Sequence, residues 1–304
     1  MVTVSPRYYP STDEAALTKP NAGKTCTFRG MTTRNIGVLV PLRAEGSSLR
    51  ETTDFGLRAC QLVSWSPEIW SEKLATRLRR EAADAGALIA AFWAGWPGPA
   101  VWDFLRGPST LGLVPALYRA ERVAVLKSAG VFARALGVPA VITHLGFIPE
   151  NSGDPQFQDV VSAVREVAMH LESMGLQFWF ESGQETPVTL LRLIRAVGTG
   201  NLGINLDPAN LILYGKGSPV DSLDVFGAYV RNVHAKDGLY PTDPARLGEE
   251  VPIGAGVVRW PDLVRKLSGL AFGGPYIIER EISGEEQKRD IAHAISYLES
   301  LLAG

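Results

Sequence analysis

Five ionisable side chains stand at the ends of short apolar runs between residues 144 and 279 of this 304-residue chain. They are His144, Glu181, Asp207, His234 and Glu279. Each interval between successive members contains a helical segment and one further apolar run. If these runs are parallel strands of a barrel, their carboxyl ends share one rim, and the five side chains converge there although they are far apart in sequence.

Carboxylates that are brought together repel one another and require a cation. Glu181, Asp207 and Glu279 would supply oxygen donors and His234 one nitrogen, with no thiolate among the ligands. This donor set suits a divalent ion, and we expect Mn²⁺, with Mg²⁺, Co²⁺ and Zn²⁺ as the other candidates. Four protein ligands of this kind would leave positions open on an octahedral ion for adjacent oxygens of a sugar.

Each of these residues also has a purely structural interpretation. A single glutamate at the end of a strand is as often a helix cap or an ion-pair partner, and a single histidine is more often structural than a ligand. Asp207 precedes Pro208 and could cap the next turn. Four such coincidences at the same ends of neighbouring strands are improbable together, so we favour the metal site.

Eight short apolar runs alternate with segments of helical period from residue 35 onward. Unbroken apolar runs are typical of buried parallel strands. The runs cover Ile36–Val40, Ala59–Val63, Ala87–Phe92, Ala140–His144, Gln177–Glu181, Leu202–Leu206, Val230–His234 and Tyr276–Glu279. The alternation predicts either a closed barrel or an open doubly wound sheet, but no glycine-rich phosphate loop follows the first run. We therefore predict an α/β fold, a (β/α)8 TIM barrel with surrounding helices.

The intervening helices have recognisable ends, because capping residues precede them and glycines follow them. We predict helices over Glu72–Ala85, Tyr118–Leu136, Asp159–Met174, Pro187–Val197 and Glu285–Leu301, with a weak one over Ser48–Asp54. Residues 1–30 have neither period and are rich in turn formers. We predict that 1–30 form a loosely structured N-terminal extension and that 31–304 form the TIM-barrel catalytic domain.

Composition narrows the class of protein. A formal net charge of −2 and a charged fraction of 20% provide no basic surface for a nucleic acid. No apolar run approaches the roughly 20 residues that span a bilayer, and the N-terminus does not have the pattern of a secretory signal. Cys26 and Cys60 lie outside any metal-ligand spacing, and we expect reduced thiols rather than a disulfide. We expect a cytoplasmic enzyme with a small-molecule substrate and no membrane partner.

The strand-end motifs THLGF, FESGQET, NLDPAN, VHAKD and IIERE resemble those of the xylose isomerase-like barrel superfamily, over roughly residues 34–302. The sugar isomerase and epimerase branch is the most similar. The resemblance implies that Glu181, Asp207, His234 and Glu279 are the metal ligands. It also implies that Glu181 and Glu279 exchange the substrate proton from opposite faces, and it is compatible with a homo-oligomer.

The sequence departs from the ketose 3-epimerases of this superfamily at one position. Those enzymes carry a substrate-contacting histidine three residues after the metal-binding aspartate, where this chain has Asn210. A second branch, the metal-dependent lyases that split 3-keto-glycosides by β-elimination, resembles the chain as well, and His144 would be its acid/base. The superfamily's three-zinc nuclease would need more histidines than the four in this chain.

Both branches begin by abstracting a proton next to a carbonyl, through an enediolate that the metal stabilises. We predict a metal-dependent sugar isomerase/epimerase, with the keto-glycoside lyase as the alternative and a non-catalytic sugar-binding barrel as a third reading. Lys236 could neutralise the enediolate or pair with Asp237. Gln184 could bind sugar hydroxyls, and Trp93 could stack on a sugar ring or simply pack.

Overall fold

Eight parallel strands close into a barrel in the computed structural model, which describes residues 36–303. The strands are β1 Ile36–Pro41, β2 Ala59–Ser64, β3 Leu88–Ala94, β4 Ala140–Thr143, β5 Gln177–Glu181, β6 Leu202–Leu206, β7 Val230–Ala235, β8 Asp237–Gly238, β9 Glu250–Val251 and β10 Tyr276–Ile278. Around the barrel the order is β1-β10-β7-β6-β5-β4-β3-β2, while β8 and β9 form a separate antiparallel ribbon. The predicted TIM barrel is confirmed; the predicted extension of residues 1–30 lies outside the described residues.

Helices follow the barrel strands and cover the outside of the sheet. They are α1 Arg50–Asp54, α2 Glu72–Ala85, α3 Gly107–Thr110, α4 Ala116–Leu136, α5 Pro155–Ser173, α6 Pro187–Val197, α7 Pro208–Leu213, α8 Pro219–Phe226, α9 Trp260–Gly269 and α10 Glu285–Leu302. Within residues 36–303, no helix is both long and apolar enough to cross a membrane.

Helix α5 begins four residues earlier than the apolar period alone predicts. The Asp154 side chain accepts a hydrogen bond from the backbone N–H of Gln156, at 2.8 Å, and Pro155 occupies the first helical position. A proline there costs nothing, because the first N–H groups of a helix have no partner within it. Glycine ends α2 as predicted, since Gly86 has φ +60, a conformation that residues with a side chain rarely adopt.

Successive side chains of β5 alternate between the main hydrophobic core and the interior of the barrel. Phe178 and Phe180 are fully buried in the main core together with Val160 and Val164 of α5. Trp179 belongs to a second cluster with Trp93 of β3. Because successive strand residues face opposite sides of a sheet, Glu181 shares the face of Trp179 and stands at the carboxyl end of the barrel interior.

Cys60 of β2 is buried and free. Burial raises the pKa of its thiol to about 12, so the thiol stays protonated and unreactive at neutral pH. Cys60 is therefore a reduced thiol, as expected, and it packs in the barrel wall like an apolar side chain. Cys26 lies outside the described residues.

Candidate metal centre

The four predicted metal ligands meet at one end of the barrel. Glu181 ends β5, Asp207 follows β6, His234 lies in β7 and Glu279 follows β10. Each offers one ligand atom, and these atoms all lie within 4.8 Å of one another. His234 Nδ1 lies 2.9 Å from Glu279 Oε2, 3.4 Å from Glu181 Oε1 and 3.9 Å from Asp207 Oδ2. The arrangement predicted from the strand ends is thus present in the fold.

Three of the converging atoms have no other obvious role. His234 Nδ1, Asp207 Oδ2 and Glu279 Oε2 are buried, and among the described residues they have no hydrogen-bond partner outside the charged contacts of the cluster itself. A buried polar atom without a partner costs roughly 1–3 kcal/mol. A divalent cation at the centre of the group would satisfy all three atoms at once, and the oxygen-rich donor set fits such an ion.

Asp207 caps a helix and faces the cluster with the same carboxylate. Its Oδ1 accepts a hydrogen bond from the backbone N–H of Asn210 at 2.8 Å, which caps α7, while Oδ2 points to the other ligands. The capping role is therefore confirmed, and it leaves Oδ2 free for the predicted role as a ligand. Burial raises the pKa of Asp207 to about 7, with the nearby charge of Lys236 opposing the rise.

The charges of the cluster shift the pKa values of its own members. Burial lowers the pKa of His234, but the negative charges of Glu181 and Glu279 outweigh it and hold this pKa well above its ordinary range. For Glu181 the cost of burial is outweighed in turn by His144 and His234, which hold its pKa well below the ordinary value. Glu181 is therefore a carboxylate at neutral pH.

Glu181 is held by three further predicted residues. Trp93 Nε1 donates to its Oε2 at 2.5 Å, Asn210 Nδ2 donates to its Oε1 at 3.3 Å, and His144 Nε2 lies 3.2 Å from Oε1. Trp93 therefore donates a hydrogen bond to a candidate ligand in addition to packing, and His144 lies next to the same candidate ligand. These contacts fix both oxygens of one carboxylate, which orients it toward the other ligands.

Lys236 contacts the cluster and does not pair with Asp237. Its Nζ lies 2.6 Å from Glu281 Oε1, 3.6 Å from Glu279 Oε2 and 3.7 Å from Asp207 Oδ2, although only 2% of the residue is exposed. Asp237 faces the other way and accepts backbone N–H groups of the loop that follows β9. Side chains of neighbouring residues in an extended chain point to opposite sides. Lys236 and Asp237 therefore do not form the ion pair that the sequence allowed.

Gln184 and Glu185 lie beside the site without reaching the cavity above it. Both are buried, and Gln184 does not line the cavity. Thr186, rather than Glu185, caps helix α6, since its Oγ1 accepts from the Thr189 backbone N–H at 3.3 Å. Burial raises the pKa of Glu185 to about 7.

Three amide side chains beside His234 were not predicted from the sequence. His234 Nε2 lies 2.9 Å from Gln61 Nε2 and 3.0 Å from Asn205 Nδ2. Asn232 Nδ2 donates hydrogen bonds to the amide oxygens of Gln61 and Asn205. All three amides are fully buried in strands β2, β6 and β7. The available signal was a polar residue inside each otherwise apolar run.

A cavity of about 250 Å³ opens above the cluster. Five of the predicted site residues line this cavity, namely Trp93, His144, Glu181, Asn210 and Glu279. The wall also contains residues that the sequence did not indicate: Trp65, Trp102, Tyr214 and Glu281. The predicted site and a substrate-sized space therefore adjoin each other.

Comparison with known proteins agrees with the barrel fold. The xylose isomerase-like TIM barrel model matches residues 49–301. A xylose isomerase domain protein of Planctomyces limnophilus superposes with a TM-score of 0.83 at 34% identity, over 88% of this chain and 96% of that chain. A D-tagatose 3-epimerase-like protein gives 0.68 at 21% identity, over 88% of this chain and 97% of that chain.

A curated relative, an uncharacterized protein of Methanocaldococcus jannaschii, is 26% identical over 152 residues. The alignment covers 46% of this chain and 50% of the relative, so the chain spans about half the length of the curated protein it matches. The family model, in contrast, covers most of the chain and includes all four converging ligands. This chain belongs to the xylose isomerase-like TIM barrel family.

Proposed function

We propose that the protein is a divalent-metal-dependent sugar isomerase or epimerase that moves a proton on the carbon next to a carbonyl. One observation carries the proposal: the ligand atoms of Glu181, Asp207, His234 and Glu279 lie within 4.8 Å of one another beneath an open cavity. The likeness to a D-tagatose 3-epimerase-like protein supports the choice of substrate class. Mn²⁺ is the ion we propose, with Mg²⁺, Co²⁺ and Zn²⁺ as alternatives.

A cation bound there supplies Lewis-acid stabilisation of negative charge on the substrate's oxygens. The chain supplies the proton transfer. Burial raises the pKa of Glu279, but the charges of Lys236 and His234 outweigh it and lower this pKa, so Glu279 is a carboxylate like Glu181. Both can accept a proton from carbon. Return of the proton to the opposite face gives an epimer, and its transfer to the neighbouring carbon interconverts aldose and ketose.

Lys236 and Asn210 have supporting roles in this proposal. The Lys236 ammonium, 3.6 Å from Glu279 Oε2, carries positive charge to the place where negative charge develops on the substrate. Asn210 lines the cavity and bonds Glu181, so it can contact a substrate hydroxyl while it holds the carboxylate in place.

A second candidate, a lyase that cleaves 3-keto-glycosides by β-elimination, is favoured by His144. This imidazole lines the cavity, lies 3.2 Å from Glu181 Oε1 and has its Nδ1 buried without a hydrogen-bond partner among the described residues. Burial lowers its pKa, but Glu181 outweighs the effect and leaves the pKa raised. A protonated imidazole next to the base can donate the proton that a leaving group needs.

Incubation in heavy water separates the candidates. The metal-loaded protein is offered a panel of ketoses and 3-keto-glycosides, and deuterium uptake and aglycone release are followed by NMR and mass spectrometry. Uptake without release supports the isomerase, and release supports the lyase. Neither reaction with any member of the panel would contradict both and leave a sugar-binding barrel. Asp207→Asn is the control, because it keeps an oxygen for the helix cap but loses the ligand charge.

A further inference from the structure

The mouth of the barrel is divided into two chemically different halves. From β4 through β10 in barrel order, the strand ends carry the ionisable residues described above. The adjoining strands β1, β2 and β3, with the loop after β3, present only apolar or aromatic side chains to the same cavity. These are Leu39, Val63, Trp65, Trp93 and Trp102. A molecule that fills the cavity therefore lies with one end on the ligands and the other on an apolar wall.

Two tryptophans of this wall are unusually open. Trp65 is 42% exposed and Trp102 is 40% exposed, whereas Trp93 behind them is buried. The rings of Trp65 and Trp102 are 6.3 Å apart at 85° and form a corner. Trp102 also lies edge-on to His144, with centroids 5.2 Å apart. The corner thus adjoins the candidate acid/base and, through Trp93, the ligand Glu181.

The backbone makes room for this corner. A Cβ atom at position 95 would lie 2.4 Å from the Trp65 ring, closer than real Cβ contacts come. Gly95 lets the indole lie flat against the chain that leaves β3. The position of Trp65 therefore depends on the absence of a side chain at Gly95.

The wall suits a flat, apolar group best. Leu39, Val63 and the two indole faces offer no hydrogen-bond acceptor, so sugar hydroxyls gain little against them, and only the apolar face of a sugar ring could stack on an indole. An aromatic ring loses nothing there and gains edge-to-face contacts with two indoles. We propose that Trp65 and Trp102 form a subsite for a planar aromatic substituent carried by the sugar substrate, that is, for an aryl glycoside. This inference rests on the proposed function for the sugar end of the ligand, where the carbonyl must be a keto group of the sugar ring because the aryl substituent occupies the anomeric position.

Saturation-transfer NMR tests the subsite directly and detects weak binding. The probes are 4-nitrophenyl β-D-glucopyranoside and methyl β-D-glucopyranoside, which share the sugar and differ in the substituent. We expect the nitrophenyl ring protons to receive the strongest saturation and the aryl glycoside to bind about tenfold more tightly than the methyl glycoside. Absence of ring saturation in the unmodified protein, or equal affinity for the two probes, would overturn the proposal.

Variants localise the effect. Trp65→Ala and Trp102→Ala should each reduce the preference for the aryl glycoside by about threefold or more, and Trp65→Phe should restore most of it. Gly95→Ala should also reduce it, because the added methyl displaces the Trp65 ring while every aromatic residue remains. Leu117→Ala, which truncates an apolar side chain that is 83% exposed on α4, is the control and should leave the preference unchanged.

The same measurement in the presence of a chelator distinguishes this proposal from the proposed function. If the aryl preference persists without metal but no deuterium exchange occurs with it, the metal chemistry fails and the subsite stands. If exchange occurs on simple ketoses while the preference is absent or insensitive to the Trp65 and Trp102 variants, the subsite fails and the metal chemistry stands.

Discussion

The Nε2 atom of His234 lies 2.9 Å from Nε2 of Gln61, whereas its Nδ1 atom faces the other three candidate metal ligands. A neutral imidazole has one nitrogen that donates and one that accepts. If Nδ1 binds a cation, the proton stays on Nε2, and the facing amide must present its oxygen. Because Asn232 Nδ2 bonds the amide oxygens of Gln61 and Asn205 at 2.9 and 2.5 Å, the amides form one network. We therefore expect these amides to turn together, so that an amide oxygen faces Nε2 whenever Nε2 carries a proton.

Gln61→Leu is expected to weaken metal binding by about 10- to 100-fold, the usual cost of removing the partner that orients a histidine ligand. The substitution retains a side chain of similar length but removes the acceptor for the His234 Nε2 proton. Titration calorimetry with Mn²⁺ measures the loss.

Gln177→Leu is the matched control for Gln61→Leu. It removes an amide from another barrel strand, β5, where the side chain accepts from Trp179 Nε1 and not from a ligand. It should leave Mn²⁺ affinity unchanged. An unaltered affinity in Gln61→Leu would mean that the ligands alone orient the imidazole.

Metal binding should release protons and strengthen as the pH rises. The pKa of His234 is held well above its ordinary range by Glu181 and Glu279, so the metal-free protein carries a proton on this ring at neutral pH. An ion must displace that proton, and the affinity should rise about tenfold per pH unit for each proton displaced. Below pH 7, Asp207, with a pKa of about 7, contributes a second proton.

Calorimetry in buffers with different ionisation enthalpies counts these protons. We expect at least one proton released per ion at pH 7.5 and more at pH 6. Binding that is independent of pH between these values would show that His234 is neutral before the ion arrives.

The barrel and the convergence of the four candidate ligands could be predicted from the sequence, because both follow from strand ends. Parallel strands of a barrel bring their carboxyl ends to one rim, so Glu181 and Glu279 could be placed together without knowledge of packing. The amide of Gln61 could not be assigned in this way, since its partner depends on which side chain of a distant strand faces it. Trp65 and Trp102 lie in connections whose course the periodicity does not determine. Contacts across the barrel therefore mark the limit of the prediction.

Glu185→Gln is expected to stabilise the metal-free protein at alkaline pH. Burial raises the folded-state pKa of Glu185 to about 7 from an ordinary value of 4.5. Below pH 4.5 the group is protonated in both states and costs nothing. Between pH 4.5 and 7 the unfolded chain releases the proton and the folded chain keeps it, so stability falls, and above pH 7 the penalty is constant. The difference corresponds to about 3 kcal/mol at most.

Urea unfolding of both proteins in EDTA, at pH 4.5 and pH 8, measures this penalty. The variant should gain up to about 3 kcal/mol over the unmodified protein at pH 8 and little at pH 4.5. A gain of equal size at both pH values would point to packing rather than ionisation. A loss at pH 8 would show that Glu185 is ionised and stabilised in the fold.

Gly146→Ala is expected to destabilise the protein by about 3 kcal/mol, because it adds strain and a clash at once. Gly146 follows the strand end that carries His144, has φ +91, and a Cβ atom there would lie 2.2 Å from the carbonyl oxygen of Leu111. The loop after α3 is bound to this segment, since the Leu113 backbone N–H donates to Leu145 O at 2.8 Å. Displacing the loop should also shift His144, so slower substrate deuteration should accompany the loss of stability.

Gly269→Ala provides the matched control, because position 269 is the last residue of helix α9 and a Cβ atom there meets nothing within 4 Å. Replacing this glycine should change the free energy of unfolding by less than about 1 kcal/mol and leave activity unchanged. Urea unfolding of the two variants should therefore separate by at least about 2 kcal/mol. Equal stabilities would mean that the segment after His144 can move away from Leu111, and that the position of this imidazole is not set by the loop.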